Sequence, residues 1–189
     1  TYGVSQTTNT STSKLSSIQN VEELSTLLKK VFGHIFKLDT VSLNESWRVT
    51  PDVATFIQKK FNIDFSTNIE SPNAQKHDTL KLIQDPAQLN NDLLTSAKIL
   101  YYPINSLNFL NKSSYDTVNW SYSKGDTYSK IIVVLTDSLK NIFDDDWNAS
   151  TLGNKTRNQL YVALTRSSGE VYIVSAEVWN SYHAMRQGM

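Results

Sequence analysis

The chain has 189 residues, of which 39% are hydrophobic, so it can bury the core of one domain of ordinary size. Its 18 basic and 18 acidic residues cancel, which excludes nucleic-acid binding through bulk charge and confines any phosphate-binding surface to a local cluster. The absence of cysteine excludes disulfides and thiolate metal sites, and three scattered histidines, His34, His77 and His183, do not predict a metal centre.

No apolar run approaches the roughly 20 residues of a membrane-spanning helix, and the first residues lack the pattern of a signal peptide. We therefore expect a cytoplasmic protein that makes no membrane contact. The chain starts without methionine inside a polar segment, which indicates a piece of a longer protein. Residues 1–17, rich in Ser, Thr and Asn, are expected to form a flexible lead-in, and residues 18–189 a single domain.

In the first third of the chain, apolar residues spaced by three and four from Val21 to Phe32 predict an amphipathic helix. Residues 40–43 form a short β-prone run. Thr50 followed by Pro51 predicts the start of a second helix, because proline is favoured at the first helical position. The buried stripe of that helix is expected to consist of Val53, Phe56, Ile57 and Phe61.

The remaining elements alternate between strand and helix. Residues 64–91 show no clear pattern apart from a strand at 79–83, and residues 98–102 are either a strand or a helix end. Residues 115–120, 131–135 and 170–175 predict strands, whereas 156–165 and 176–185 predict helices. The five consecutive aliphatic residues at 131–135 are typical of a strand buried on both faces of a parallel sheet. The alternation predicts a layered α/β fold.

Residues 160–166, Leu-Tyr-Val-Ala-Leu-Thr-Arg, place a lone cation at the end of an apolar helix. A helix seated in the core would deliver Arg166 to a fixed point, where its fork of N–H donors suits a phosphate. The alternative is that Arg166 only favours the dipole at the carboxyl end of its own helix.

Residues 119–128, Asn-Trp-Ser-Tyr-Ser-Lys-Gly-Asp-Thr-Tyr, precede the most apolar strand. Lys124 and Gly125 predict a turn where the backbone approaches a ligand closely, and the hydroxyls of Ser121 and Ser123 can bond phosphates. A plain glycine turn between two strands is the alternative.

Residues 43–52, Leu-Asn-Glu-Ser-Trp-Arg-Val-Thr-Pro-Asp, put an aromatic side chain beside an arginine just before a helix. Trp47 can stack on a nucleobase while Arg48 meets a phosphate. Alternatively, Trp47 is an aromatic residue of the core or of the helix entry, and Arg48 forms a surface ion pair.

Taken in chain order, these three segments resemble motifs IV, V and VI of superfamily 1 DNA helicases of the UvrD and Rep type. The resemblance implies the second motor domain of such an enzyme, a RecA-like three-layer α/β domain with a mostly parallel central sheet. About seventy residues separate the first segment from the second, too few for the large inserted accessory domain of the best-known members.

The resemblance also implies roles for individual residues. Arg166 and Arg48 would act catalytically on the γ-phosphate of ATP, with Trp47 flanking the adenine and Gly125 and Thr127 near the nucleotide. Thr127 replaces the family's ribose-binding glutamate, and Asp126 replaces a leucine. Single-stranded DNA would be held by four residues of the second segment, Asn119, Ser121, Ser123 and Lys124; Asn119 and Ser121 replace the family's threonine and histidine.

The chain contains no Gly-x-x-x-x-Gly-Lys-Ser/Thr loop, so ATP with Mg²⁺ would be bound chiefly by an N-terminal motor domain of the same longer chain, and the present part alone would be inactive. The acidic run 144–146 is expected to be a solvated loop. Because of the substitutions at Asn119, Ser121 and Thr127, a non-catalytic helicase-like platform for protein binding is the alternative. An unrelated nucleotide-binding α/β domain is disfavoured because no glycine-rich phosphate loop is present.

Overall fold

The computed structural model describes residues 44–102 and 115–187, together with the isolated positions Thr26 and Lys30. The chain divides into two compact units, Thr1–Leu43 and Asn44–Met189. Thr26 and Lys30 are helical and exposed, as expected for the outer face of the predicted first helix. The predicted lead-in at 1–17 and the β-prone run at 40–43 lie outside the described residues, and the predicted domain start at residue 18 stays a prediction.

The described part of the second unit contains seven strands and four α-helices, joined by turns and short 3₁₀ segments. The strands are β1 (Glu45–Ser46), β2 (Ser66–Thr67), β3 (Leu80–Ile83), β4 (Lys98–Tyr101), β5 (Thr117–Asn119), β6 (Tyr128–Val134) and β7 (Ser167–Val174). The helices are α1 (Pro51–Phe61), α2 (Asn91–Ser96), α3 (Asn154–Leu164) and α4 (Ala176–Gln187). None of these helices is long and apolar enough to cross a membrane.

The central sheet has five strands in the order β3-β7-β6-β4-β5, and every neighbouring pair is parallel. In the middle of the sheet, Ile131 of β6 lies opposite Lys98 of β4 on one side and Val171 of β7 on the other. Strands β1 and β2 form a separate parallel pair. The predicted parallel sheet is confirmed, and so are the strands predicted around residues 80, 117, 131 and 171. Of the two alternatives for residues 98–102, the strand is the correct one.

Helices cover both faces of this sheet. Helices α1 and α3 pack on one face and α2 and α4 on the other. Strand β6 supplies both cores, since Ile131 and Val133 face the first while Ile132 and Val134 face the second. Burying each of these side chains stabilises the fold by about 1.5–3 kcal/mol. The fold is therefore a three-layer α/β domain of the RecA-like kind, as predicted.

Helix α1 begins where the sequence predicted. Thr50 occupies the N-cap position in an extended conformation and Pro51 is the first helical residue, whereas Asn62 ends the helix with a left-handed φ of 50°. The Thr50 hydroxyl does not cap the helix, because it is hydrogen-bonded to the hydroxyl of Thr79 at 2.7 Å. Of the predicted stripe, Val53, Ile57 and Phe61 are buried, and Phe56 packs at the edge of the core.

Candidate functional site

Arg166 lies at the amino end of β7, between the last residue of α3 and the first residue of the strand. Its Nε donates a hydrogen bond to the Val162 carbonyl at 2.9 Å, and its Nη2 donates to the Thr165 hydroxyl at 3.1 Å. The guanidinium is thus folded against the last turn of α3. A guanidinium has five N–H donors, so three of them remain for a ligand.

Arg48 reaches the same place from the loop that precedes α1. Its Nη1 donates to the Thr165 carbonyl at 3.1 Å, so the two guanidiniums bond to different atoms of one threonine. Both arginines are half-buried. Among the described residues neither forms an ion pair, since the four pairs within 4.0 Å all involve lysine. Arg48 and Arg166 therefore converge without a carboxylate partner.

The electrostatics of this arginine pair follow from burial and like charge. Burial lowers the pKa of the Arg166 guanidinium, and the positive charge of Arg48 lowers it further. Burial raises the pKa of the Tyr161 hydroxyl, while Arg166 and Arg48 both act to lower it. Both positive charges therefore influence this one hydroxyl. Two adjacent cations with unused donors favour an anion that has several oxygens, such as a phosphate.

The turn before β6 runs beside Arg166. The Tyr128 N–H donates to the Arg166 carbonyl at 2.9 Å, and Tyr128 lies opposite Ser167 in the sheet. Gly125 has a φ of +102°, which favours glycine, and Thr127 is exposed. Gly125 and Thr127 consequently lead into β6 at the edge of the sheet that carries the arginine pair.

Asp126 is the carboxylate of this turn. It accepts a hydrogen bond from the Tyr128 hydroxyl at 2.7 Å. Burial, followed by this bond, raises the pKa of Tyr128 to about 12. The negative charge of Asp126 raises the pKa of Arg166 without forming an ion pair with it. Asp126 moderates the positive charge here and leaves the guanidinium unpaired.

Trp47 adjoins Arg48 and presents its indole to solvent. The residue is 56% exposed, which is unusual for tryptophan and excludes a position in the core. The alternative of a helix-entry aromatic stays open, because Trp47 lies shortly before the first residue of α1. The alternative of a surface ion pair for Arg48 also has no counterpart in the described residues. An exposed indole, followed in the sequence by an arginine that forms no ion pair in the described residues, supplies the two groups that base stacking and phosphate binding require.

The predicted nucleic-acid residues lie along the other half of the same segment. Asn119 ends β5 at the carboxyl edge of the sheet, and its side-chain oxygen accepts from the Ser121 N–H at 2.8 Å. The Ser121 hydroxyl accepts a hydrogen bond from the amide of Gln159 in α3. Ser121 and Lys124 are exposed. Asn119, Ser121 and Lys124 remain candidates for a surface that contacts a nucleic-acid backbone.

Ser123 differs from its neighbours. It is fully buried, and its hydroxyl donates to the Trp120 carbonyl at 2.7 Å. This short-range bond uses the hydroxyl inside the turn, so the position of Ser123 gives no support to the predicted contact with DNA. We leave Ser123 out of the candidate surface.

The sequence motifs did not predict a role for two further residues at this candidate surface, Tyr122 and Gln159. Tyr122 is 82% exposed, between Ser121 and the buried Ser123. Its position in a turn, outside any apolar alternation, was the available signal. No sequence pattern indicates a role for Gln159, because the residue that it contacts, Ser121, lies 38 residues earlier in the chain. Its Oε1 is buried without a hydrogen-bond partner. The Gln159 contact ties the turn to α3, the helix that ends two residues before Arg166.

Metal-binding groups are absent from the described ranges. No cluster of three His, Asp or Glu side chains in residues 44–102 and 115–187 is arranged to hold a metal ion. His183 is buried among aromatic rings, and burial lowers its pKa. Residues 144–146 form the expected solvated loop, where Asp145 pairs with Lys59 at 2.7 Å. Among the described residues, the site offers two guanidiniums and no metal-binding cluster of side chains.

Fold and site together define a three-layer α/β domain that presents, at one edge of its sheet, an exposed tryptophan and two arginines that form no ion pair with any described residue. No protein-family model matches the chain, and no curated protein matches it. The helicase assignment therefore stays a resemblance in three segments, to be weighed with the geometry of the site.

Proposed function

We propose that this chain is the C-terminal motor domain of an ATP-dependent DNA helicase or translocase. The observation that carries the proposal is the convergence of Arg48 and Arg166 on Thr165, half-buried and without a carboxylate partner in the described residues. Two like charges held together repel each other, and an anion bound between them would relieve that repulsion. The triphosphate of ATP is such an anion, and the three motif-like segments point to it.

The proposed site is half of a nucleotide-binding cleft. Its donors are positive, and its described residues, which include the carboxylate of Asp126, form no cluster of acidic side chains that could hold a metal ion. The glycine-rich loop and the metal ligands would therefore belong to an N-terminal motor domain of the same protein. When bound there, Mg²⁺ would neutralise part of the phosphate charge and orient the terminal phosphoryl group. ATP would lie between the two domains.

In this cleft the arginine pair would stabilise the transition state for hydrolysis. Arg166 and Arg48 would direct their unused N–H donors at the oxygens of the γ-phosphoryl group as it passes to water. Because both guanidiniums are already held by Thr165 and Val162, they need little reorganisation when charge develops. Trp47 would stack on the adenine, and Gly125 and Thr127 would approach the sugar. Thr127 has no carboxylate, so its ribose contact would be a hydroxyl bond.

The turn from Asn119 to Thr127 would connect hydrolysis with nucleic acid. Asn119, Ser121 and Lys124 would contact the backbone of single-stranded DNA, and Tyr122 would add a stacking surface for a base. The same turn meets Arg166 at its other end through Tyr128. Closing the cleft on ATP would therefore shift the DNA contacts, and reopening it would release them.

A second candidate function is a non-catalytic platform of helicase-like fold that binds another protein. Two observations favour it: the Ser121 hydroxyl is occupied by Gln159, and Ser123 is buried. A platform has no need of an unpaired arginine couple, so we rank it second. For either function, we propose a cytoplasmic location.

The test is ATP hydrolysis by the full-length protein with single-stranded oligonucleotide present. Arg166→Ala is expected to lower kcat by at least about a thousandfold, because one arginine at a phosphoryl-transfer centre contributes that much. Arg186→Ala is the matched control, since Arg186 is exposed on α4 and its nearest polar contact is Asn91 at 3.5 Å. The isolated 189-residue chain is expected to hydrolyse no ATP. Equal turnover by wild type and Arg166→Ala would refute the proposal.

A further inference from the structure

The loop that carries Trp47 and Arg48 is held by side chains from a turn about twenty-five residues later in the sequence. The Trp47 carbonyl accepts hydrogen bonds from the Ser71 hydroxyl at 2.6 Å and from the Asn73 amide at 3.2 Å. The same Asn73 amide donates to the Arg48 carbonyl at 2.8 Å. Asn73 thus bridges two successive carbonyls of the loop.

Further bonds fix the loop on both sides of this bridge. The Ser46 hydroxyl accepts from the N–H groups of Arg48 and Val49, each at 3.2 Å. The Thr67 hydroxyl donates to the Val49 carbonyl at 2.9 Å. Three successive carbonyls therefore have side-chain donors, and the backbone at Arg48 is fixed at both its N–H and its carbonyl.

The donors themselves are buried and pre-arranged. Ser71 and Asn73 are each 5% exposed, and the Asn73 N–H donates to the Ser71 hydroxyl at 3.1 Å. Burying polar side chains is unfavourable unless their hydrogen bonds are made, and here their donors serve this loop. We call Ser71 and Asn73 the loop clamp.

The position of the loop depends on the clamp because the side chains of Trp47 and Arg48 do not fix it by themselves. Trp47 is more than half exposed, so packing of its indole cannot set the direction of the ring. Arg48 has one hydrogen bond from its guanidinium, to Thr165. A shift of the Trp47–Arg48 backbone would therefore move the indole and the guanidinium together.

We propose that Ser71 and Asn73 are positioning residues, which set the indole of Trp47 and the guanidinium of Arg48 for nucleotide. The inference rests on the proposed function, since it assigns the clamp a role in the same ATP site. Neither residue would touch ATP. Asn73 would act mainly through Arg48, and Ser71 mainly through the carbonyl of Trp47.

The first test is a double-mutant cycle measured as ATP hydrolysis by the full-length protein. Asn73→Ala is expected to lower kcat about tenfold and to raise KM, because misplacing a catalytic group by about an ångström has effects of this size or larger. In the Arg48→Ala background, Asn73→Ala is expected to change kcat by less than about twofold, since the group it positions is gone. A merely structural role would not produce this dependence on Arg48.

Two further variants keep the cycle interpretable. Asn90→Ala is the control, because Asn90 caps α2 on the opposite face of the sheet, where its side-chain oxygen accepts a hydrogen bond from the Leu93 N–H at 2.9 Å. This variant is expected to leave kcat and KM unchanged. Ser71→Ala is a milder change, expected to raise KM with a smaller effect on kcat. It replaces Asn73→Ala if the latter fails to fold, and the cycle then pairs it with Trp47→Ala instead of Arg48→Ala, because Ser71 bonds to the Trp47 carbonyl.

The second test does not require activity. Cleavage by trypsin after Arg48 is expected to require release of the loop from its clamp. Asn73→Ala should therefore accelerate that cleavage at least fivefold in the full-length protein, as monitored by mass spectrometry. Asn90→Ala should leave the rate of cleavage unchanged. Unaltered cleavage would show that no clamp exists. If the wild type hydrolyses ATP and Asn73→Ala has the same kcat and KM, the inference about the clamp is wrong while the proposed function stands. The same conclusion follows if Asn73→Ala lowers kcat as much in the Arg48→Ala background as in the wild type. Absence of ATP hydrolysis by wild type would instead overturn the proposed function.

Discussion

Replacing Arg48 by alanine is expected to separate stability from catalysis. The change removes a hydrogen bond from a half-buried guanidinium to the Thr165 carbonyl at 3.1 Å, which contributes about 1.5–3 kcal/mol in favourable cases. It also removes the repulsion between Arg48 and Arg166. Since both arginines bond to Thr165, the bonded nitrogens lie no more than about 10 Å apart, and the repulsion is then at least about 0.4 kcal/mol at a dielectric constant of 80 and at least about 1.7 kcal/mol at 20. The two effects largely offset each other, and we expect a net loss of about 1 kcal/mol.

The catalytic loss should be much larger than this. An arginine that meets the transferring phosphoryl group contributes roughly a thousandfold in rate, or about 4 kcal/mol. The assay pairs urea unfolding of the full-length variants with their ATP hydrolysis at saturating ATP. Arg48→Lys keeps the charge and loses the planar fork, so its kcat should fall almost as far as that of Arg48→Ala. A variant that loses several kcal/mol of stability with little loss of kcat would refute the reasoning and make Arg48 a structural residue.

Two other predictions concern acid stability and nucleic acid. Ion pairing with Lys81, together with Lys130, lowers the pKa of Glu170 to about 2, so its contribution is present above about pH 4.5 and is lost as pH falls towards 2. Because the three side chains are partly exposed, we expect Glu170→Gln to destabilise the domain by only about 1 kcal/mol at pH 7, and urea unfolding should show the difference vanishing near pH 2. Tyr122→Ala should weaken binding of oligo(dT) to the full-length protein about tenfold, whereas Tyr122→Trp should not, as measured by fluorescence anisotropy. Equal affinity of the alanine variant would remove Tyr122 from the DNA surface.

The central layers of the fold were predictable because their causes are local in sequence. Residues 131–135 are apolar without interruption, and in the sheet β6 is covered on both faces. Thr50 and Pro51 predicted the start of α1 because a proline suits the first turn and nothing deeper in a helix. Arg166 could be placed at the edge of the sheet, since helix α3 and strand β7 both showed in the pattern.

The segment from Asp64 to Thr79 was unreadable for a physical reason. Its order depends on hydrogen bonds between distant parts of the chain, such as those from Asn73 to the Trp47 loop and from the Thr79 N–H to Asp52 at 2.8 Å. Such long-range hydrogen bonds produce no periodic pattern of apolar residues in the sequence. The burial of Ser123 could not be read from the sequence for a related reason, because a serine in a polar turn is equally suited to solvent and to a local bond with the Trp120 carbonyl.

The most direct measurement of the central claim is the affinity of the full-length protein for ADP with fluoroaluminate, which imitates the transferring phosphoryl group. If Arg48 and Arg166 meet that group, alanine at either position should weaken this complex by about a hundredfold or more, while the affinity for ADP alone changes by less than about twofold. If both variants bind the fluoroaluminate complex as tightly as the wild type, the two guanidiniums do not contact the reacting phosphate and the proposed motor function is wrong.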